Sequence, residues 1–166
     1  MPRVHLEPWG PDDLPLVEQL MGDPAMTEFL GGPESPEKLA DRQRRYAKSG
    51  SGMFKIVDDE TWEGVGSVGF WEREWRGETV YETGWSVIPA FQGRGIAAEA
   101  TRQVLELAKE TSKHRFVHAY PKVENDASNA ICRKLGFEFR GAHDFEYPPG
   151  NPIRCNDWRY DLTGSG

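Results

Sequence analysis

Residues 91–98 read Phe-Gln-Gly-Arg-Gly-Ile-Ala-Ala and stand between a stretch with strand character and one with helical periodicity. Gly93 and Gly95 supply permissive dihedrals and room for bare backbone to approach a ligand. The N–H groups that open a helix have no intrahelical acceptor and carry about half a positive charge. Together these features can hold an anion, a phosphate above all. Three readings of the turn compete on these residues alone. A Walker A loop must end in Gly-Lys-Ser/Thr, which is absent here, so it is set aside. Gly93, Gly95 and Ala98 match the dinucleotide pattern G-x-G-x-x-G/A, but Pro89-Ala90-Phe91-Gln92 separate the strand from the first glycine, where that pattern needs them adjacent. The third reading is a glycine turn with no ligand.

Other residues on the chain could also do chemistry. Glu82, in Val80-Tyr-Glu-Thr-Gly-Trp-Ser-Val87, lies on the strand before the turn among Tyr81, Trp85 and Val87. A carboxylate partly desolvated there is a candidate general base, and the alternative is an exposed strand glutamate paired with a neighbour. Asn125 opens a segment that ends in Lys134-Leu135-Gly136-Phe137 and contains Ser128 and Cys132. Lys134 could reach a phosphate, although lysines near helix C-termini are common. Cys132 could donate a proton, against the simpler account of a small buried helix residue. His5, His114, His118 and His143 show no metal-ligand spacing with each other or with the cysteines, so they read as structural or surface residues and no metal is predicted.

The elements that must position these groups follow from period and punctuation. Val4–Trp9 alternates as a short strand, and a helix is expected from Pro11 to about Met21 with Asp12 and Asp13 in its first turn. A second helix starts near Ser35 and runs to the Ser-Gly-Ser-Gly of residues 49–52. Residues 53–88 carry three β-branched and aromatic runs, an antiparallel meander. Ile96, Ala100, Val104 and Ala108 recur at helical spacing. Residues 115–120 form a strand, 126–136 a short helix ending at Gly136, 137–147 a strand, 148–152 a loop, and 156–162 a last strand. In that last strand Trp158, Tyr160 and Leu162 face inward and Asp157, Arg159 and Asp161 outward. Trp85 also reads as core, and Trp71 and Trp75 as the border of an acceptor cleft. This order describes one α+β domain over residues 1–166, built around a single mixed sheet.

Composition limits what the domain can do. The chain has 166 residues and a formal charge of −7, which argues against nucleic acid and favours a cationic partner such as an amine. No run approaches the roughly 18 apolar residues of a membrane span, and the first residues lack an apolar signal core, so a cytoplasmic address is expected. The two cysteines, Cys132 and Cys155, are then expected to be free thiols.

The loop Gln92-Gly-Arg-Gly-Ile-Ala97 and the Asn125…Lys-Leu-Gly-Phe segment, taken together, resemble the acyl-CoA motifs of the GNAT superfamily of N-acetyltransferases. Residues 28–37 and 124–129 look more particularly like its ribosomal-protein N-terminal acetyltransferase branch. The resemblance implies the GNAT fold, a mixed, mostly antiparallel sheet with flanking helices. It implies acetyl-CoA as cosubstrate, lying where the strand ending at Val87 and Ile88 splays from the strand over 115–120. The backbone of Val87 and Ile88 would then meet the pantetheine, and Gln92, Gly93, Arg94, Gly95, Ile96 and Ala97 the pyrophosphate, with Asn125 and Lys134 nearby. It further implies an amine acceptor, a small molecule or a protein N-terminus, that attacks the thioester directly with Glu82 as base. A homodimer is also possible on this resemblance. Many GNAT enzymes place a proton-donating tyrosine where this chain has Cys132, so the resemblance offers Ser128 or Cys132 as the acid. A domain that binds acyl-CoA without catalysis is the second reading.

Overall fold

The computed structural model describes residues 2–147 and 149–164. Its elements are β1 (Val4–Pro8), α1 (Leu14–Met21), α2 (Pro36–Ala47), β2 (Met53–Asp58), β3 (Gly64–Trp75), β4 (Glu78–Val87), α3 (Ile96–Thr111), β5 (Phe116–Ala119), α4 (Asp126–Lys134), β6 (Glu138–Glu146) and β7 (Pro152–Asp161). The strands form one seven-stranded sheet in the order β1-β2-β3-β4-β5-β7-β6. Every pairing is antiparallel except β4 with β5. The expected α+β architecture and the β2–β3–β4 meander are both present.

The helices take opposite faces. Lys55 of β2 donates to both oxygens of Asp13 at the start of α1, at 3.0 and 3.1 Å, which ties α1 to one side, where Leu20 of α1 and Leu39 of α2 share a buried cluster. Tyr81 of β4 packs with Leu105 and Ala108 of α3 and with Cys132 of α4 on the other. Ile96, Ala100, Val104 and Ala108 of α3 are buried, as their spacing requires. Gly66 and Gly69 let β3 lie close to its neighbours: an added Cβ would stand 2.3 Å from the Ser86 carbonyl oxygen at the first and 2.4 Å from that of Gly52 at the second.

Two boundaries and one burial differ from expectation. The first helix begins at Leu14, because the Asp13 carboxylate is turned back to accept the Gly10 N–H at 2.7 Å, so Asp12 and Asp13 precede the helix. β7 begins at Pro152, opposite Glu146, since a proline is tolerated as the first residue of a strand. The rest of the loop expected over 148–152 intervenes, its Pro148 lying outside the described residues. Asp157 is the third correction. It alternates away from Trp158 as expected, yet is only 3% exposed, because the face it points to is covered as well.

Candidate active site

The pairing of β4 with β5 consists of two positions, Tyr81 with Val117 and Glu82 with His118. Beyond them β4 runs on to Val87 without a β5 partner, so the two parallel strands part. The helices that follow them, α3 after β4 and α4 after β5, therefore both begin at the edge where the gap opens. Topology thus brings the glycine turn and the Asn125 segment to one place, although they are far apart in sequence.

Backbone accounting decides which groups can meet a ligand in that gap. The Ile88 N–H donates to the Val65 carbonyl at 2.9 Å and its own carbonyl accepts from the Phe91 N–H at 3.0 Å. Both groups of Ile88 have a partner within the fold, so it has no free N–H to offer a ligand. Strand alternation then turns the Val87 groups to the gap side. The Val87 carbonyl accepts from the Gln92 side-chain amide at 2.9 Å, so Gln92 braces the turn instead of reaching outward, and the Val87 N–H is left facing the gap.

Past this brace the chain turns through a short 3₁₀ segment, Pro89–Phe91, into Gly93 and Gly95, with φ of 76° and 80°. Both are left-handed conformations that glycine alone adopts at low cost. Residues 92–95 are exposed, and nothing lies within 4 Å of the position a Gly93 Cβ would take. Gly95 is the N-cap of the 16-residue α3, and having no side chain it leaves the first-turn amides uncapped. Arg94 lies over the Phe91 ring at 4.8 Å and donates to the Ala90 carbonyl at 3.2 Å, at the rim of this turn. Ile96 buries its side chain in the core, so that it and Ala97 offer backbone only. An exposed turn of bare amides at the positive end of a helix suits a diphosphate.

At α4 the Asn125 side chain accepts from the Ser128 N–H at 3.1 Å and caps the helix. Its oxygen is committed to that task. Ser128 is half-buried, with no hydrogen bond to its hydroxyl among the described residues, and Lys134 is exposed at the far end of the helix. Cys132 is fully buried in the core between α3 and α4, and burial pushes its thiol up to about 12. A thiol with no accessible surface lines no cleft, which corrects its inclusion among the candidate acids. Replacing Cys132 with Ala is expected to leave kcat within about twofold while lowering stability by about 1 kcal/mol; steady-state kinetics and thermal melting check both.

Glu82 points to the α1–α2 face, and around it stands a polar and aromatic cluster absent from the sequence reading. Arg73 donates to Glu82 Oε1 at 2.8 Å and lies over the rings of Tyr120, Trp75 and Phe145 at 4.6, 5.4 and 5.4 Å. His118, read from sequence as a structural or surface residue, is 4% exposed, and its Nδ1 meets Asp157 Oδ1 at 2.6 Å. Trp75 donates to the other Asp157 oxygen at 3.2 Å. Tyr120 stacks on His118 at 5.7 Å, and burial, reinforced by the charge of Asp157, raises its phenol above the usual tyrosine value. Its hydroxyl is sealed from solvent with no partner. The signal was present in the sequence. Glu82, His118 and Asp157 occupy one face of three neighbouring strands, with Tyr120 directly after β5, but the strand order becomes visible only once β7 is placed beside β5.

The family described as acetyltransferase (GNAT) domain matches residues 3–138. The chain belongs to the GNAT acetyltransferase family. Among sequence relatives, an uncharacterized N-acetyltransferase of Bacillus subtilis (strain 168) is 37% identical over 76 residues, 45% of this chain and 44% of that relative's length. The match thus spans less than half of that protein. Among solved structures, a GNAT-family acetyltransferase from Bacillus anthracis superposes with a TM-score of 0.83 at 21% identity, over 98% of this chain and 96% of the other. A ribosomal L7/L12 alpha-N-protein acetyltransferase in complex with coenzyme A superposes with a TM-score of 0.77 at 21% identity, over 95% and 93%. These likenesses extend the GNAT fold over nearly the whole chain, including β7, which lies beyond the family match. The dinucleotide reading of the glycine turn ends here, because a GNAT sheet with one parallel pair is not a doubly wound one.

Proposed function

We propose that this GNAT domain transfers the acetyl group of acetyl-CoA to a primary amine by direct attack in a ternary complex. One observation carries the proposal: the β4–β5 gap opens immediately after the rung that holds Glu82, and it ends at the uncapped amides of α3. A cosubstrate with a diphosphate at one end and a thioester at the other spans such a site from turn to carboxylate. The amides of Gly93 to Ala97 hold the diphosphate, with Arg94 at the rim, and the Val87 N–H meets the pantetheine. Glu82, whose Oε2 has no partner among the described residues, takes a proton from the acceptor ammonium. The Ser128 hydroxyl, near the start of α4 at the same edge, supplies a proton to the departing thiolate.

The net charge of −7 favours a cationic acceptor. Protein N-termini are one such class, and the coenzyme A-bound neighbour named above acts on a protein N-terminus. The test pairs calorimetry with acetyl-CoA and thiol release over a panel of small amines and N-terminal peptides. Binding with turnover on at least one amine is expected. Folded protein that shows no heat of association with acetyl-CoA at millimolar concentration overturns the proposal.

The glycine turn can be tested separately. Gly95→Val places a β-branched residue at φ 80°, at a cost of about 1–2 kcal/mol in backbone strain, and crowds the anion site. Acetyl-CoA affinity is expected to fall at least about tenfold, which corresponds to about 1.4 kcal/mol, with the acceptor KM little changed. Titration calorimetry of the variant measures the loss directly.

A further inference from the structure

Resting on the reading of Glu82 as the group that takes the acceptor's proton, we propose that His118 and Asp157 form a proton relay in series with it. Glu82 and His118 are register partners on the last rung before β4 and β5 part, so they are neighbours across the strands at the root of the gap. An ionised carboxylate only accepts, so the 2.6 Å contact places the imidazole proton on Nδ1, donating to Asp157 Oδ1. The second Asp157 oxygen is held by the Trp75 indole N–H at 3.2 Å, which fixes the carboxylate and through it the ring. The relay atom is then Nε2, a lone pair in the neutral ring.

Nε2 has no partner among the described residues. Among the described residues, the side-chain atoms sealed from solvent without a partner are Arg73 Nε, His114 Nε2 and Tyr120 Oη. His118 Nε2 is not one of them, and the His118 side chain keeps 5% of its surface exposed. A nearly buried imidazole with an unpartnered basic nitrogen, oriented from behind by a buried carboxylate, has the arrangement of a proton carrier. The groups facing it are Glu82 from β4, Arg73 from β3, Asp157 and Arg159 from β7, and Tyr120 just past the end of its own strand.

The protons balance as follows. The acceptor ammonium gives one proton to Glu82, which passes it through a bridging water to His118 Nε2, and the imidazolium is held against Asp157 until solvent removes the proton. The freed amine forms the C–N bond as the C–S bond breaks. The second amine proton leaves as the amide forms, and the thiolate departs with one proton, so the net release is a single H⁺. Asp157 touches no reacting atom and is a positioning residue.

Three measurements test the relay. In wild-type protein labelled with ¹⁵N-histidine, long-range ¹H–¹⁵N spectra are expected to show the neutral His118 ring protonated at Nδ1; protonation at Nε2 overturns the proposal without any variant having to fold. Asp157→Asn, nearly isosteric, is expected to lower kcat about 100-fold with the acetyl-CoA KM unchanged. His118→Gln is expected to lose a similar factor. If His118→Gln and Asp157→Asn both stay within threefold of wild type while Glu82→Gln is inactive, the relay is wrong and Glu82 stands. If Glu82→Gln is as active as wild type, the reading of Glu82 fails and the series arrangement fails with it.

Discussion

Glu82→Gln is expected to lower kcat by about 100- to 10,000-fold, the range that removal of a positioned general base usually costs. Glutamine keeps the shape of the side chain and an oxygen for Arg73, which now donates to Glu82 Oε1 at 2.8 Å, so the guanidinium is not stranded. What is lost is the ability to take up a proton. The glycine turn and the Val87 amide lie elsewhere along the gap, so acetyl-CoA affinity should be retained. Losing turnover while binding is preserved is the pattern of an interaction made on the way to the transition state. Stopped-time thiol release together with calorimetry on the same preparation separates the two quantities. A variant within threefold of wild type would exclude Glu82 from the proton path.

Gly66→Ala is expected to have the largest effect on stability. The added methyl would lie 2.3 Å from the Ser86 carbonyl oxygen, and both partners are backbone in the β3–β4 ladder, so neither can swing aside as a flexible side chain would. Overpacking of this kind costs about 1–3 kcal/mol, here at the upper end. For a chain of this size that is a fall in melting temperature of about 6–12 °C. The strain is also aimed at function. Gly66 is paired with Val87, whose N–H faces the gap, so relief by moving Ser86 and Val87 should weaken acetyl-CoA binding as well. Differential scanning calorimetry gives the first effect. Titration of whatever variant remains folded gives the second, and an unchanged melting temperature would mean that the two strands separate here more easily than their ladder implies.

The sequence carried some of these features and hid others for identifiable reasons. Local signals transferred well. The helical spacing of Ile96, Ala100, Val104 and Ala108 is the buried stripe of α3, and Ser35 caps α2 by accepting from the Lys38 N–H at 3.3 Å. Gly93 and Gly95 both take left-handed dihedrals. Asp12 and Asp13 misled because an aspartate can accept from backbone before a helix as readily as within its first turn. Ile88 misled because a strand residue's N–H points to one neighbour only, and which one is settled by register. The Glu82 surroundings were the least legible. Arg73, His118 and Asp157 come from three strands besides its own and Tyr120 from the residue after β5, and alternation alone reports which residues share a face of one strand without saying what covers that face. Asp157 therefore read as solvated, whereas Trp75 and His118 enclose it.

The Trp75–Asp157–His118 chain also bears on how the gap itself behaves. β3 and β7 are separated in the sheet by β4 and β5, the two strands that part, and those two share only a pair of rungs. With so little backbone between them, the halves of the sheet would be free to hinge there. The indole reaching from β3 to the carboxylate of β7 splints the joint across its α1–α2 face, and the carboxylate in turn grips the imidazole of β5. That splint is expected to keep the opening a wedge of set width instead of a jaw, which would admit a thin, extended molecule without first having to widen.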